Sequence, residues 1–274
     1  METATVEVKN DADLRPATVV TGASSGIGRE LALVAAREAP VLLVARSADR
    51  LAALAQEIRA ANGVAYELPL DVTSLDAADK IAACLAAENL YCDYLVNNAG
   101  YGLVGAAHEL DRSDQLGVVD LNVRAMTALS LAFLPGMMAR GRGGILHVAS
   151  IASFLPGPQM AVYYASKAFV RSFSEALWEE CRRAGVAVTA LCPGPIDTGF
   201  FVRATGRAQK PRLFQLLPTD DARSVAKKGW RGLKAGRRLV VPGLASKGVM
   251  LAGRLFPNAL ILRTVRKLQK RRVN

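Results

Sequence analysis

Residues 17–28 read ATVVTGASSGIG, and this stretch determines the fold that the sequence predicts. A short β-branched run, Ala17–Thr21, passes directly into a glycine-rich loop, and the helix-like segment Arg29–Glu38 follows it. Glycines let the loop turn tightly and approach a phosphate closely, while the helix N-terminus presents N–H groups and the positive end of its dipole. We therefore predict a pyrophosphate-binding loop rather than a plain turn. The loop residues assigned to cofactor binding are Gly22, Ser24, Ser25, Gly26, Ile27 and Gly28.

Short apolar runs alternate with helical segments along most of the remaining chain. The further predicted strands are Val41–Ala45, Val64–Leu70, Asp93–Asn97, Ile145–Ala149, Val186–Leu191 and Leu239–Pro242. The helical segments between them are Ala48–Ala60, Leu75–Ala87, Asp120–Met138 and Met160–Ala184. This alternation indicates parallel βαβ units, and strands that are apolar throughout are covered on both faces.

The predicted fold class is α/β, with a doubly wound, mostly parallel seven-stranded Rossmann sheet and helices on both faces. We expect a flexible N-terminus over residues 1–16, one domain over 17–242 and a basic amphipathic C-terminal extension over 243–274. The first residues mix acids with polar residues and lack an apolar core, so neither a signal peptide nor a transit peptide is expected.

The end of the second predicted strand indicates which dinucleotide the loop would hold. In such folds an acid at this point binds the ribose 2′-hydroxyl of NAD. Here the sequence is Val44-Ala45-Arg46-Ser47, with no acid, and a guanidinium binds phosphate oxygens in a fork. NADP(H) is therefore the predicted cofactor, with Arg50 as a second cation. The alternative is that Arg46 is an ordinary exposed residue at a helix start.

A tyrosine, a lysine and a serine form the candidate catalytic group. Tyr163 and Lys167 are four residues apart and would share one face of a helix, where the ammonium would lower the tyrosine pKa. Ser150 lies 13 residues before Tyr163 at the end of an apolar strand, where such sheets place their sites. Tyr164 fits this spacing less well.

In these features the chain resembles the short-chain dehydrogenase/reductase family. The matching residues are TGASSGIG at 21–28, Asp71-Val72, Asn97-Asn98-Ala99-Gly100, Asn122, Ser150, Tyr163, Lys167 and Pro193-Gly194. Their order and spacing are those of the branch with the TGxxxGxG loop. The resemblance implies an oxidoreductase that transfers hydride between a nicotinamide and a carbonyl or secondary alcohol.

The resemblance also implies a role for each catalytic residue. Tyr163 would be the general acid/base that protonates the carbonyl oxygen, and Ser150 would orient that oxygen. Lys167 would lower the pKa of Tyr163 and bind the nicotinamide ribose. Asn122 would hold a water that links Lys167 to solvent.

The remaining cofactor contacts are likewise implied by the resemblance. Asp71 and Val72 would contact adenine. Thr198 would bind the nicotinamide amide or the phosphates. The residues that would line the cofactor cleft or border the nicotinamide are Asn98, Ala99, Gly100, Pro193, Gly194 and Ile196.

Cysteine and histidine usage gives no sign of a metal site. Four cysteines form no CxxC pair, and His108 and His147 are the only histidines, so no metal and a reducing compartment are expected. His147 lies in the strand before Ser150, as His-Val-Ala where many relatives have Asn-Val-Ser. We interpret it as a structural residue and His108 as an ordinary polar residue.

Residues 195–219 correspond to a mobile lid over the substrate in the family that the chain resembles. Their largely apolar composition predicts a hydrophobic carbonyl or alcohol substrate, unless these residues only pack the lid. The cations Arg203, Arg207, Lys210 and Arg212 leave a second possibility, a 3-oxoacyl substrate on an anionic carrier such as coenzyme A. A non-catalytic protein that binds or senses NADPH is a further alternative, although it would tend to lose the serine, tyrosine and lysine.

The formal net charge of +11 is concentrated at one end of the chain. Residues 201–274 have a net charge of +17, whereas residues 1–200 have −6. Apolar residues at 261, 262, 265 and 268, with cations between them, predict a basic amphipathic helix. It would lie on an anionic membrane, dock on the body of the protein or contact a partner subunit.

We expect no nucleic-acid partner and no stretch apolar enough to span a membrane. The expected location is cytoplasmic, with possible peripheral membrane contact. The expected assembly is a homodimer or homotetramer.

Overall fold

The computed structural model describes residues 14–196 and 217–269, and a seven-stranded parallel sheet forms their centre. The strands are β1 (Arg15–Thr21), β2 (Val41–Ala45), β3 (Ala65–Pro69), β4 (Leu90–Asn97), β5 (Gly144–Val148), β6 (Ala187–Leu191) and β7 (Leu239–Val240). Their order is β3-β2-β1-β4-β5-β6-β7. The predicted α/β class with a Rossmann sheet is confirmed. The strand order reverses between β1 and β4, and the crevice at such a switch point is where doubly wound sheets bind ligands.

Helices cover both faces of this sheet. They are α1 (Gly26–Ala35), α2 (Ala48–Ala60), α3 (Ala77–Ala87), α4 (Arg112–Val119), α5 (Met126–Arg140), α6 (Ala161–Cys181), α7 (Ala222–Lys234), α8 (Leu244–Leu255) and α9 (Asn258–Gln269). Helices α1, α2 and α7 pack against one face, and α3, α5 and α6 pack against the other.

Neighbouring residues of each strand belong to different cores, because successive side chains of a strand point to opposite faces. Val20 and Leu43 belong to the core under α1, α2 and α7. Val19 and Leu42 belong to the core under α3, α5 and α6. All four are fully buried, which explains why these strands are apolar throughout their length.

The ends of several elements differ from the sequence-based prediction. Strand β1 begins at Arg15, and its N–H donates to the Asn89 carbonyl at 2.9 Å, so the predicted flexible N-terminus is wrong for its last two residues. The residues before position 14 lie outside the described part. Helix α1 begins at Gly26, inside the glycine loop rather than after it.

A long helical region carries a local irregularity that the sequence pattern did not reveal. It begins at Arg112 instead of Asp120, because the Asp111 carboxylate accepts hydrogen bonds from the backbone N–H groups of Ser113 at 2.7 Å and Asp114 at 3.1 Å. A π-helical turn, Asp120–Ala125, joins α4 to α5. Such turns occur often at functional sites.

The same continuous helix, residues 112–140, is long and apolar enough to cross a membrane by length and composition alone. The expectation that no stretch of the chain reaches that threshold is therefore wrong. In the fold, however, Leu129 and Met137 of this helix are buried in the core on one face of the sheet. The helix is thus an element of the domain, because the core helix of a folded domain can have the same length and apolar composition as a membrane span.

Two elements near the end of the chain complete the domain. The Asp221 carboxylate caps α7 by accepting from the Ser224 N–H at 2.8 Å, and the Trp230 indole N–H of α7 donates to Glu38 at 2.8 Å. Helix α8 then packs on the short turn Ile151–Phe154 that follows β5. The predicted amphipathic segment 261–268 lies within α9.

Candidate active site

A cleft of about 860 Å³ opens at the carboxyl ends of the central strands, where the strand order reverses. It brings together 17 of the residues that the sequence assigned to catalysis or cofactor binding. They are Gly22, Ser24, Ser25, Gly26, Ile27, Arg46, Asp71, Val72, Asn98, Ala99, Gly100, Ser150, Tyr163, Lys167, Pro193, Gly194 and Ile196. Thr198 lies outside the described residues.

The glycine loop is held against the end of β4 by side-chain hydrogen bonds. Thr21 Oγ1 donates to the Val96 carbonyl at 3.2 Å and accepts from the N–H groups of Asn98 at 3.0 Å and Ala99 at 3.1 Å. Asn98 Nδ2 donates to the carbonyls of Thr21 at 3.0 Å and Gly22 at 3.2 Å. The loop is therefore fixed before any ligand binds, and the N–H groups in the first turn of α1 have no acceptor within the helix.

Two glycines of the loop have different functions. Gly22 has a φ of +64°, and a side chain there would collide with Asn98 and Ala99. Gly28 does not line the cleft, although the sequence assigned it to cofactor binding. A Cβ on Gly28 would collide with the Gly22 carbonyl and the Asn98 side chain, so this glycine allows α1 to pack closely under the loop.

Ser150, Tyr163 and Lys167 are all buried on one wall of the cleft. Ser150 follows β5, and its Oγ accepts from the Ala152 N–H at 3.1 Å. Tyr163 and Lys167 lie one turn apart on α6, with Lys167 Nζ 6.0 Å from the centroid of the tyrosine ring. Lys167 Nζ donates to the Val148 carbonyl at 2.8 Å, which fixes the ammonium above the end of β5.

Burial shifts the pKa values of this group. It raises the pKa of Tyr163 to about 12, opposed by a hydrogen bond with Ser150, and lowers the pKa of Lys167 to about 8. The sequence-based expectation of a lowered tyrosine pKa is therefore wrong in direction for the protein's own groups, because burial outweighs the hydrogen bond with Ser150. At neutral pH Tyr163 carries its proton and can donate it.

Asn122 lies in the π-helical turn and is buried behind Lys167 rather than on the cleft wall. Its Nδ2 donates to the Tyr101 carbonyl at 2.9 Å and to Ser166 Oγ at 3.0 Å, and its Oδ1 accepts from the Tyr101 N–H at 3.1 Å. The amide is thus engaged with protein groups and joins the loop after β4 to α6. Its role as a water ligand stays a prediction.

Two exposed guanidinium groups, of Arg46 and Arg50, line the far end of the cleft. Neither takes part in an ion pair among the residues that the structure describes. Asp71 is nearby, where hydrogen bonds from Thr73 lower the pKa of its carboxyl and the charge of Arg46 contributes to the same shift. This end of the cleft can therefore hold an anionic group.

His147 is a structural residue, as the sequence indicated. It is fully buried in β5, with Nε2 2.9 Å from Ser130 Oγ and Nδ1 2.6 Å from Ser174 Oγ. Burial and, as a smaller cause, the charge of Lys167 lower its pKa to about 3, so the ring is neutral. His108, by contrast, is exposed.

Two residues that help to hold the site, Ser130 and Tyr101, were not among the predicted site residues. Ser130 of α5 accepts from Asn97 Nδ2 at 2.9 Å and contacts His147, which links α5 to β4 and β5. Tyr101 lines the cleft and donates to the Asp114 carbonyl at 3.1 Å. Tyr101 could have been found because it directly follows Asn97-Asn98-Ala99-Gly100, but no local pattern identifies Ser130. The described residues contain no cluster of His, Cys, Asp or Glu that could hold a metal.

Comparison with known proteins supports a single family. The model of the short chain dehydrogenase family matches residues 16–208. An uncharacterized oxidoreductase of Myxococcus xanthus is 38% identical over 212 residues, which cover 77% of this chain and 82% of that protein. A very-long-chain 3-oxoacyl-CoA reductase of Coprinopsis cinerea is 35% identical over 218 residues, covering 77% and 62%. The probable oxidoreductase EphD of Mycobacterium tuberculosis is 36% identical over 217 residues, and the chain spans about one third (34%) of its length.

Solved structures resemble this chain in fold, and the resemblance covers most of each chain. A short-chain dehydrogenase from Sphingobium yanoikuyae in complex with NADPH is 27% identical, with a TM-score of 0.76, and the match covers 95% of this chain and 98% of that one. An actinorhodin polyketide ketoreductase with NADPH is 29% identical, with a TM-score of 0.74, and the match covers 85% and 96%.

Proposed function

The chain belongs to the short-chain dehydrogenase/reductase family and is a nicotinamide-dependent oxidoreductase, and we propose that it reduces a hydrophobic carbonyl compound with NADPH, with Tyr163 as the general acid. One observation carries the proposal. Ser150, Tyr163 and Lys167 are buried together on the wall of a cleft that the glycine loop also lines. The reverse reaction, oxidation of a secondary alcohol, would use the same residues.

The residues that line the cleft support the proposal that it holds a dinucleotide. The rigid glycine loop would hold the pyrophosphate, and a side chain on Gly100 would approach Asn122 Oδ1 to 2.9 Å and Lys167 Nζ to 3.3 Å, so only glycine leaves that wall open. Asp71 and Val72 would contact the adenine. Pro193 and Gly194 would border the nicotinamide. When bound, the cofactor supplies the hydride.

The protein's own groups would control the proton. Tyr163 keeps its hydroxyl proton at neutral pH, because burial raises its pKa to about 12, and donates it to the substrate oxygen as negative charge develops there. Ser150 Oγ, held by the Ala152 N–H, would donate to the same oxygen. Lys167 has three N–H donors, one of which binds the Val148 carbonyl, so the others can reach a ribose and stabilise the tyrosinate that forms.

NADPH is preferred over NADH in this proposal because of Arg46 and Arg50. Arg46 directly follows β2 and Arg50 lies in the first turn of α2. Both are exposed on the cleft and neither is paired with a carboxylate among the described residues, so they can bind a 2′-phosphate. The two solved relatives that contain NADPH support this choice.

The surroundings of Tyr163 favour an apolar substrate. The half-buried apolar side chains of Val104 and Leu155 pack against the buried cluster that includes this tyrosine. The similarity to a very-long-chain 3-oxoacyl-CoA reductase supports a 3-oxoacyl thioester as a second candidate. Most of the lid that would close on either substrate, residues 197–216, lies outside the described residues.

We also propose that the protein assembles as a homodimer or homotetramer. Apolar side chains on the outer surfaces of α5 and α6, Leu131 and Phe169, are exposed. Phe169 stacks on Phe173 of the same helix with ring centroids 5.8 Å apart, which gives this surface a rigid aromatic face. We propose that these side chains lie at a contact between copies of the chain, since exposed apolar patches mark interaction sites.

The proposal is tested by replacing Tyr163 with Phe. Removing the hydroxyl removes the proton donor, so we expect turnover of a panel of ketones, measured by NADPH absorbance, to fall by about 10²–10⁴-fold. NADPH binding, measured by fluorescence, should persist, because the glycine loop and Arg46 are unchanged.

The matched control is Tyr164→Phe, which removes a hydroxyl from the neighbouring buried tyrosine of α6. This variant should retain most activity. A Tyr163→Phe enzyme that reduces any ketone at the wild-type rate would overturn the assignment of the general acid.

A further inference from the structure

The outward surface of α8 differs from that of an ordinary surface helix. Its exposed residues recur at the spacing of one helical face, and large apolar side chains alternate there with cations. They are Leu244, Lys247, Gly248, Leu251, Arg254 and Leu255. A helix that packs on a protein core through one side normally exposes polar residues on the other.

The inner side of α8 is already occupied by the protein. Ser246 is buried, and a Cβ on Gly194 would lie 2.5 Å from its Oγ. Gly253 lies directly against the Phe154 carbonyl, where a side chain would collide. Met250 packs on the small core that contains Phe154. Helix α8 is thus anchored between two segments that border the cleft, and its orientation is fixed.

The exposed apolar surface continues across the turn into α9. Among the described residues, six of the 13 exposed large hydrophobic side chains lie between positions 244 and 262, and they are 41–85% exposed. They are Leu244, Leu251, Leu255, Phe256, Leu260 and Leu262. We call them, with the cations between them, the α8–α9 surface.

The apolar stripe of α9 that the sequence suggested for membrane contact is mostly used inside the protein. Ile261 and Val265 are buried and Leu268 is half-buried. Of the four stripe positions only Leu262 is exposed. The contacts of this stripe with the protein orient α9. The surface that remains exposed is the α8–α9 surface and not the stripe as a whole.

Charge distinguishes the possible occupants of the α8–α9 surface. Residues 243–274 contain eight Lys and Arg and no Asp or Glu. The described cations Lys247, Arg254, Arg263, Arg266 and Lys267 are all exposed. A second copy of the same surface would bring like charges together, whereas an anionic lipid bilayer offers both negative headgroups and an apolar layer.

We propose that the α8–α9 surface binds the protein peripherally to anionic lipid bilayers, with the leucines and Phe256 inserted at the headgroup boundary and the cations on the lipid phosphates. Because α8 also borders Gly194 and Phe154 beside the cleft, the bound protein would hold its substrate entrance close to the bilayer. That second statement rests on the proposed function, whereas lipid binding does not.

The test is flotation of the full-length protein with vesicles of phosphatidylcholine, with or without phosphatidylserine. We expect binding to the phosphatidylserine vesicles only, weakened by added salt. The double variant Leu251→Gln/Leu255→Gln should lose at least about tenfold in vesicle affinity, because it removes two exposed apolar side chains from the surface. Replacing Lys247 and Arg254 with Gln should weaken binding and reduce its salt dependence.

Matched controls use exposed residues of the same types elsewhere in the chain. Leu75→Gln/Leu116→Gln and Arg112→Gln/Arg183→Gln should bind vesicles like the wild type. NADPH binding in every variant verifies the fold, and ketone turnover without vesicles is recorded separately, so loss of the proposed function would not be confused with loss of lipid binding.

Three outcomes would overturn the proposal. The first is that the wild type does not float with phosphatidylserine vesicles. The second is that the α8–α9 variants bind as tightly as the controls. The third is that the leucine variants change the oligomeric mass measured by light scattering, which would assign the surface to a second copy of this chain.

Discussion

The two ends of the cleft are built in opposite ways. At one end Ser150, Tyr163 and Lys167 are buried, and burial raises the pKa of the tyrosine to about 12 and lowers that of the lysine to about 8. At the other end Arg46 and Arg50 are exposed cations. Proton transfer needs groups whose pKa values have been shifted, whereas recognition of an anion needs accessible charge. The difference indicates which end should respond to pH and which to a change of ligand.

The largest effect that distinguishes the two ends is expected from Lys167→Ala. This substitution removes the cation that would stabilise the tyrosinate, so kcat/KM for ketone reduction should fall by about 10²–10⁴-fold. In the wild type, the rate should decline above about pH 8, because burial lowers the lysine pKa to that value and the cation is then lost.

The control is Lys80→Ala on α3, where an exposed lysine pairs with Asp76 at 2.8 Å. Its rate and pH profile should be those of the wild type. If Lys167→Ala kept the decline above pH 8, that decline would belong to another group.

At the exposed end, a change of ligand preference is expected instead. Arg46→Asp removes a phosphate partner and adds a carboxylate that can accept from a ribose hydroxyl. The ratio of kcat/KM for NADPH to that for NADH should fall by about 10–150-fold, the range for one hydrogen bond to a charged group. The pH profile should not move, because the catalytic end is unchanged.

Arg183→Asp is the matched control, since Arg183 is an exposed arginine just after α6 and does not line the cleft. Its cofactor preference should equal that of the wild type. An Arg46→Asp enzyme with unchanged preference would contradict the assignment of the 2′-phosphate site.

The smallest expected effect concerns the free energy of unfolding. It tests the burial of His147, a residue that has no part in the proposed chemistry. His147 has a pKa of about 3 in the folded protein and about 6.5 when unfolded, so the unfolded chain binds the extra proton between these values. The free energy of unfolding should therefore decrease as the pH falls below about 6.5, by up to about 1.4 kcal/mol per pH unit from this residue. Urea denaturation at a series of pH values measures the slope.

His147→Asn should flatten this slope, whatever its effect on stability at neutral pH. His108→Asn, a substitution at the exposed histidine, should leave the slope unchanged. Equal slopes in all three proteins would mean that another group controls the acid sensitivity.

Much of the fold and of the site could be predicted because the deciding signals are local. The bounds of β2 and α2 match the prediction at every residue, since apolar strand runs and alanine-rich helical runs are bounded by clear changes in composition. The glycine loop, Arg46 and the pair Tyr163 and Lys167 follow from short patterns in the same way.

The features that were missed depend on contacts between distant segments. Asn122 itself was predicted, but no sequence period reveals the π-helical turn that contains it, and its amide partners, Tyr101 and Ser166, are 21 and 44 residues away. The direction of the Tyr163 pKa shift depends on how deeply the fold buries the ring. The stripe of α9 was predicted correctly as apolar, but only packing determines that Ile261 and Val265 face the protein.

The hydrogen bonds around Thr21 have a consequence for how this protein can diversify. The residues of the adenosine end come from the first three strands and the loops that follow them, and those of the catalytic end come from β4 onward. Thr21 and Asn98 tie the two sets together. Substitutions that alter cofactor choice should therefore combine additively with substitutions that alter substrate choice, and Thr21 and Asn98 are where double-mutant cycles should detect coupling.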